Sequence, residues 1–332
     1  METVLITGGA GYIGYNTVRL FQKNNINVVS LDNMSRGNKW AKGNVTFIEG
    51  DIDDSILVKS LIKKYKVKTV IHFAAFAYVY ESIQNPEMYF NNNVVKSLKF
   101  IEAVTNAGID NFIFSSSCAV YGNPKEIPIT EQHDTSPINP YGETKLFIEK
   151  ALHWYSIKYN LNYVVLRYFN AAGASFLFKS GEYHRPETHL IPLLIQSVLD
   201  KKSKFKIFGD TYDTSDGTAV RDFIHIDDLS HAHYLAYNYI KKENKNIILN
   251  LGTGQGYSIL EIINFAEIVI KKKIDYELKP KRKGDPPILI ANYETANKLI
   301  GWSPSIGIKK IIESAYLWET NTLPSLLEPS VS

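Results

Sequence analysis

The sequence has a single cysteine, Cys118, in 332 residues, so no intramolecular disulfide can form and no cysteine cluster exists to hold a metal. A reducing compartment fits, and zinc is not expected. Charge of one sign is not in excess either: 37 Lys and Arg against 34 Asp and Glu leave a net +3, which gives no nucleic-acid footprint. The basic runs Lys271-Lys272-Lys273 and Lys279 to Lys283 are short and, Arg282 apart, read as solvated faces. Long uncharged apolar runs are also missing, which excludes a membrane-spanning helix at the level of sequence. The first predicted strand begins by residue 3 and leaves no room for a leader, so the expected location is cytoplasmic. No internal repeat or low-complexity tract is present.

What is there is ordinary globular composition, 45% apolar and 21% charged. Short, near-continuous apolar runs recur at Val4 to Thr7, Asn27 to Asp32, Val45 to Glu49, Thr69 to Phe73, Asn111 to Ser115 and Tyr163 to Arg167, with longer amphipathic stretches between them. That rhythm predicts an α/β fold, a doubly wound parallel Rossmann-type sheet with both faces covered, over residues 1–170. After about residue 170 the rhythm breaks into Gly- and Pro-punctuated pieces, with helices predicted at Ile191 to Lys201 and Ser258 to Lys271. A smaller C-terminal substrate-binding domain over 171–332 is expected. The tail after Leu323 reads as frayed or lightly docked.

Directly after the first strand, Thr7-Gly8-Gly9-Ala10-Gly11-Tyr12-Ile13-Gly14 is a GxxGxxG turn that opens a helix and can present backbone N–H groups to a pyrophosphate. Asp32 ends the second predicted strand, roughly 20 residues on, where a carboxylate accepts the ribose hydroxyls of NAD and repels a 2′-phosphate. An ordinary turn-starting Asp is the alternative, and Arg36 keeps NADP open. Further along, Tyr141 and Lys145 are i and i+4, one helical turn apart on one face, which brings an ammonium to a phenol and favours a lowered tyrosine pKa. Ser117 follows the fifth strand at the sheet's carboxyl edge and can hydrogen-bond a sugar hydroxyl. Ser115 and Ser116 read as hydroxyls satisfying strand-end backbone, and Cys118 as a small buried residue.

Together, Gly8 to Gly14, Ser115-Ser116-Ser117 and Tyr141-Gly142-Glu143-Thr144-Lys145 resemble the extended short-chain dehydrogenase/reductase superfamily and, within it, the nucleotide-sugar 4-epimerases. The resemblance runs from Gly8 to Trp302. It implies that Gly8, Gly11, Tyr12, Ile13, Gly14, Asp32 and Asn33 hold NAD, with small or polar contacts from Phe73, Ala74, Ala75, Asn92, Ser115, Tyr168 and the catalytic Tyr141 and Lys145. Asp51-Ile52 resembles the family's adenine-contacting pair, though Asp51 also suits a helix cap. The resemblance further implies that Asn170, His189, Leu190, Phe208, Arg221, Arg282 and Asp285, with Ser117 and Tyr141, bind a UDP-sugar, the two arginines clamping its pyrophosphate. His225, in the stretch Arg221-Asp222-Phe223-Ile224-His225, needs no metal or catalytic role. Some segments of about 215–250 would return to the first domain, and a homodimer would form through the helices after Asn91 and around Tyr141.

The implied reaction is reversible 4-epimerisation of a UDP-hexose, UDP-galactose to UDP-glucose. Dehydratases of the superfamily carry an Asp and a Glu at the positions of Cys118 and Ala119, so elimination is disfavoured. Ala77 and Tyr80 depart from the family's Lys and Gly, and Leu289 is smaller than the Tyr of glucose-restricted members, which leaves UDP-N-acetylhexosamines and UDP-pentoses as alternatives. A net oxidoreductase on a nucleotide sugar and a non-catalytic NAD-sensing protein are the remaining readings.

Overall fold

The computed structural model describes residues 2–42, 45–200 and 204–327. The apolar runs become six strands, β1 (Thr3–Thr7), β2 (Asn27–Asp32), β3 (Thr46–Glu49), β4 (Val67–His72), β5 (Asn111–Ser117) and β6 (Asn162–Tyr168). A seventh strand, Ile247–Leu251, pairs in parallel with β6 and completes a sheet in the order Ile247–Leu251, β6, β5, β4, β1, β2, β3. The fold is therefore the doubly wound parallel sheet that the run pattern predicts. Several ends differ by one residue and two by more: β4 starts at Val67, in register with Thr3, and β5 runs on to Ser117, in register with Tyr168.

Alternation along each strand sets the two layers. Leu5, Val70, Phe112 and Val165 join the core under helices Ser55–Tyr65, Ser97–Asn106 and Pro140–Tyr159. Val4, Ile6, Ile71, Ile113 and Leu166 join the core under helices Tyr12–Lys23 and Ile226–Glu243. Apart from the edge strand β3, whose residues are exposed or half-buried, the strands β1 to β6 are buried on both faces, which is why these runs lack an alternating polar residue. The order reverses between β1 and β4, so a crevice opens there at the strands' carboxyl ends.

A third core, containing Ile191, Ile195, Ile262 and Ile311, forms where helices Leu190–Leu199, Ile259–Ile270 and Ile308–Leu317 pack together. Beside them Phe205–Phe208 and Tyr276–Lys279 form a parallel pair. The predicted helix from Ser258 begins with a capping box between Ser258 and Glu261. The predicted end at Lys201 lies outside the described residues. Trp302 also returns to the sheet, fully buried, its indole N–H donating to the Asp228 carbonyl at 2.9 Å. In the tail, Leu323 docks against Ala174 and Trp318. Among the described residues no helix is long and apolar enough to cross a membrane.

Candidate active site

The switch-point crevice is the mouth of a cavity of about 1020 Å³, and every site residue predicted from the sequence lines it. At one end, helix Tyr12–Lys23 begins at Gly11 with its first N–H groups facing the turn. Gly14 is compulsory there, because a Cβ would come within 2.1 Å of the Gly8 carbonyl oxygen. Gly8 has φ +71°, and a Cβ on it would strike the Ala74 nitrogen at 2.7 Å, so the turn and the small residues after β4 close on each other only through glycine. The Asp32 carboxylate accepts from the N–H groups of Ala10 at 2.9 Å and Met34 at 2.8 Å, which fixes it at the end of β2 beside the turn. This set of free N–H groups, backbone cradle and strand-end carboxylate fits a dinucleotide.

Several polar neighbours differ from the sequence expectation. Asp51 does not cap the next helix: Asp54 does, accepting from Ile56 and Leu57. Asp51 instead accepts from Lys96 at 2.5 Å and Asn33 at 2.9 Å; burial works against its charge, and these two donors overcome it and hold the carboxyl below its ordinary value. The three asparagines 91–93 fall in a π-helical segment, Phe90–Lys96, whose wide turn brings the Asn93 amide to both backbone groups of Phe76. Asn92 lines the cavity and donates to Asn93 at 3.0 Å.

The chemical centre comes from β5 and the helix Pro140–Tyr159. Asn139 caps that helix by accepting from the Gly142 N–H at 2.9 Å, and Tyr141 and Lys145 then face the carboxyl end of β5. The Lys145 ammonium donates to the Ser115 carbonyl at 2.7 Å and lies 5.8 Å from the Tyr141 ring centre. Burial pushes the lysine down to about 7, with Glu149 opposing. The Tyr141 phenol is raised, by burial first and by Tyr168 next, while the Ser117 hydroxyl pulls it down. The expected lowering of this phenol is therefore not a property of the side chains alone, because Lys145 is itself desolvated and turned to a carbonyl. Ser115 bonds the Tyr168 hydroxyl and Ser116 donates to Glu149, so neither hydroxyl serves strand-end backbone. Burial pushes the Cys118 thiol up to about 12, which makes it an inert wall residue.

At the far end, Arg221 pairs with Asp285 at 3.0 Å, and the Arg282 guanidinium lies 3.8 Å from the Phe208 ring centre. Asn170, His189, Leu190, Leu289, Ala77 and Tyr80 line the cavity as well. Asp222 is structural: its carboxylate accepts from Thr253, Gly254 and Ala291 and ties their loops to the strand Val220–His225. His225 is fully buried, caps the helix Ile226–Glu243 and stays off the cavity.

A family model described as the NAD dependent epimerase/dehydratase family matches residues 4–252. The chain belongs to that family. It is 43% identical over 316 residues, 95% of each chain, to the UDP-glucose 4-epimerase of Halalkalibacterium halodurans. Among solved structures, it resembles UDP-glucose 4-epimerase from Brucella ovis in complex with NAD, at 41% identity and TM-score 0.91 over 95% of this chain and 98% of that one. It also resembles the Bifidobacterium longum UDP-glucose 4-epimerase in complex with NAD+ and UDP, at 35% identity and TM-score 0.93 over 97% and 99% of the two chains.

In this member of the epimerase/dehydratase family, one cluster escaped the sequence reading although its spacing, Glu-x-His-x-x-Glu-x-His, was visible. Glu182, His184, Glu187 and His189 bring their donor atoms within 4.8 Å of one another at the cavity wall. The His189 Nδ1 faces Glu182 at 2.8 Å and Glu187 at 3.0 Å. Burial opposes the charged imidazole, but the two carboxylates win and push His189 up to about 10. A divalent ion here would have to displace that proton.

Glu319 lies behind this cluster, and burial first, then Glu187 and Glu182, push it up to about 7, with Gln196 opposing. A carboxyl raised in the folded state binds extra proton there, so its penalty is absent below the ordinary value of 4.5 and complete above about 7. Glu319→Gln is expected to stabilise the protein by about 1–2 kcal/mol at pH 8, after discount for partial exposure, and by nothing at pH 4.5. Thermal melts of the two proteins at both pH values check this; an equal gain at the two would refute the assignment.

Proposed function

We propose that this protein interconverts UDP-galactose and UDP-glucose by epimerisation at C4, with NAD as resident cofactor and Tyr141 as the base. The observation that carries the reading is one cavity joining the glycine turn, the Ser117, Tyr141 and Lys145 centre, and the Arg221, Asp285, Arg282 and Phe208 wall. The names of the relatives support the same substrate pair. Held by the glycine turn and Asp32, NAD would supply the reversible hydride acceptor at sugar C4 that the side chains lack.

The chain's own groups do the rest. Tyr141 takes the proton of the C4 hydroxyl and later gives it back, and Ser117, whose hydroxyl lowers the phenol's pKa against its burial, shares that proton's path. Lys145 places a donor beside the phenolate as it forms. Arg221 and Arg282 hold the diphosphate and Phe208 the uracil, which anchors the nucleotide while the ketose presents its other face. Cys118 and Ala119 offer no acid or base, so elimination has no agent.

Purified protein incubated with UDP-galactose, UDP-N-acetylgalactosamine or UDP-xylose, without added NAD, is expected to yield UDP-glucose from the first. Proton NMR resolves the products. No epimer from any of the three, with NAD supplied and the fold intact, would overturn the reading. A cytoplasmic location and a homodimer belong to it as well. Phe147, Trp154 and Ile157 leave 49%, 68% and 61% of their surface exposed on the helix Pro140–Tyr159, next to an exposed Val95. Such a contiguous apolar face suits a second copy of the chain. Light scattering is expected to give twice the monomer mass, and Trp154→Asp to reduce it; a monomeric wild type would refute the dimer.

A further inference from the structure

Arg36 is a guanidinium with one of its two terminal nitrogens paired. Its Nη2 donates to both oxygens of Glu81, at 2.8 and 2.7 Å, while its Nη1 is buried and has no hydrogen-bond partner. Leaving a charged donor dry and unpaired is costly, which points to an acceptor supplied from outside the chain. The pose is well braced. The guanidinium lies 4.2 Å from the Phe76 ring centre and 4.6 Å from that of Tyr78. Glu81 also accepts from the Tyr89 hydroxyl at 2.7 Å, and that hydroxyl accepts from the Tyr78 N–H at 2.9 Å.

The location names the acceptor. Arg36 lines the cavity in the loop that packs on the glycine turn: the Asn38 N–H donates to the Ala10 carbonyl at 3.0 Å, and a Cβ on Gly37 would lie 2.9 Å from that of Ala10. Phe76 and Tyr78 come from the segment after β4, whose Ala74 closes on Gly8. The guanidinium therefore bridges the two lips of the crevice at the turn that receives a diphosphate. Among the described lining residues, Lys204, Lys206, Arg221 and Arg282 belong to the far wall and Lys145 to the chemical centre. Arg36 is the Lys or Arg left for the glycine-turn end.

We propose that Arg36 is a cofactor-retaining residue, its Nη1 donating to the diphosphate of the bound dinucleotide while Glu81, Phe76 and Tyr78 hold it across the crevice. This rests on the NAD reading. The test is exchange of bound NAD, not turnover: holoenzyme is mixed with excess labelled NAD and the retained label is followed by filtration, with nucleotide content read after denaturation. Arg36→Met keeps the stem over the rings and is expected to release NAD about 10- to 100-fold faster, the range of a charge-assisted hydrogen bond. Arg36→Lys restores the charge and is expected to recover most of the retention. Added salt should speed release from the wild type and act less on Arg36→Met, a difference that a packing role alone would not produce. Wild type that carries and takes up no NAD would overturn the cofactor assignment together with this proposal. Wild type that holds NAD beside an equally retentive, folded Arg36→Met would overturn the proposal alone.

Discussion

Tyr141→Phe is expected to lower the turnover of UDP-galactose by about 1000-fold while leaving the bound nucleotide in place. The lost oxygen is the phenol one helical turn from Lys145 in the cavity that Ser117 also lines, and among the described neighbours the general-base step has no understudy. Tyr168 is committed to Ser115, and Burial pushes that phenol up to about 12. Cys118 is raised to about the same value and is equally unsuited to take a proton. Turnover by NMR and nucleotide content after denaturation are measured on the same preparation. Activity within tenfold of wild type would remove Tyr141 from the chemistry, and loss of nucleotide would show that the substitution had disturbed binding instead.

Arg167→Ala is expected to destabilise the fold by about 3–5 kcal/mol, as removal of one partner from a buried ion pair does. Arg167 donates to Glu149 through Nε at 3.0 Å and Nη2 at 2.5 Å, and through Nη1 to the Tyr121 hydroxyl at 3.0 Å. Both charged side chains are about 5% exposed or less, so alanine takes from the buried carboxylate its three guanidinium hydrogen bonds and leaves it the Ser116 hydroxyl and the more distant charge of Lys145. The melting temperature of Arg167→Ala should therefore lie well below that of wild type. The paired change Arg167→Met with Glu149→Met should recover much of the loss. A paired variant no more stable than Arg167→Ala would mean that lost packing, not stranded charge, is responsible.

What could be read in the chain was what short stretches of backbone dictate. Apolar runs without polar alternation gave the sheet, and Gly8 and Gly14 marked the turn because no side chain fits there. The i, i+4 step of Tyr141 and Lys145 placed both on the face that meets β5. Less legible were polar side chains whose partners come from elsewhere in the fold. Glu149 and Arg167 are 18 residues apart and Arg221 and Asp285 are 64 apart, so nothing local distinguishes a paired charge from a solvated one. The same ambiguity left Asp51 open between an adenine contact and a helix cap, when Asp54, three positions on, had the capping geometry. The direction of the Tyr141 shift depends on burial, which a helical wheel does not report.

The seventh strand, Ile247–Leu251, has a consequence for how this molecule can be divided. It covers β6, whose own residues Asn162–Tyr168 would otherwise present an unpaired, apolar edge to solvent. A fragment cut after residue 170 would keep the glycine turn and the Tyr141 centre yet expose that edge, and exposed flat edges recruit further strands from other molecules. Nor does the remainder stand alone, since Trp302 and the helix Ile226–Glu243 finish a core that begins with β1. The two halves are thus interleaved along the chain, and neither can be exchanged with a relative by a single crossover.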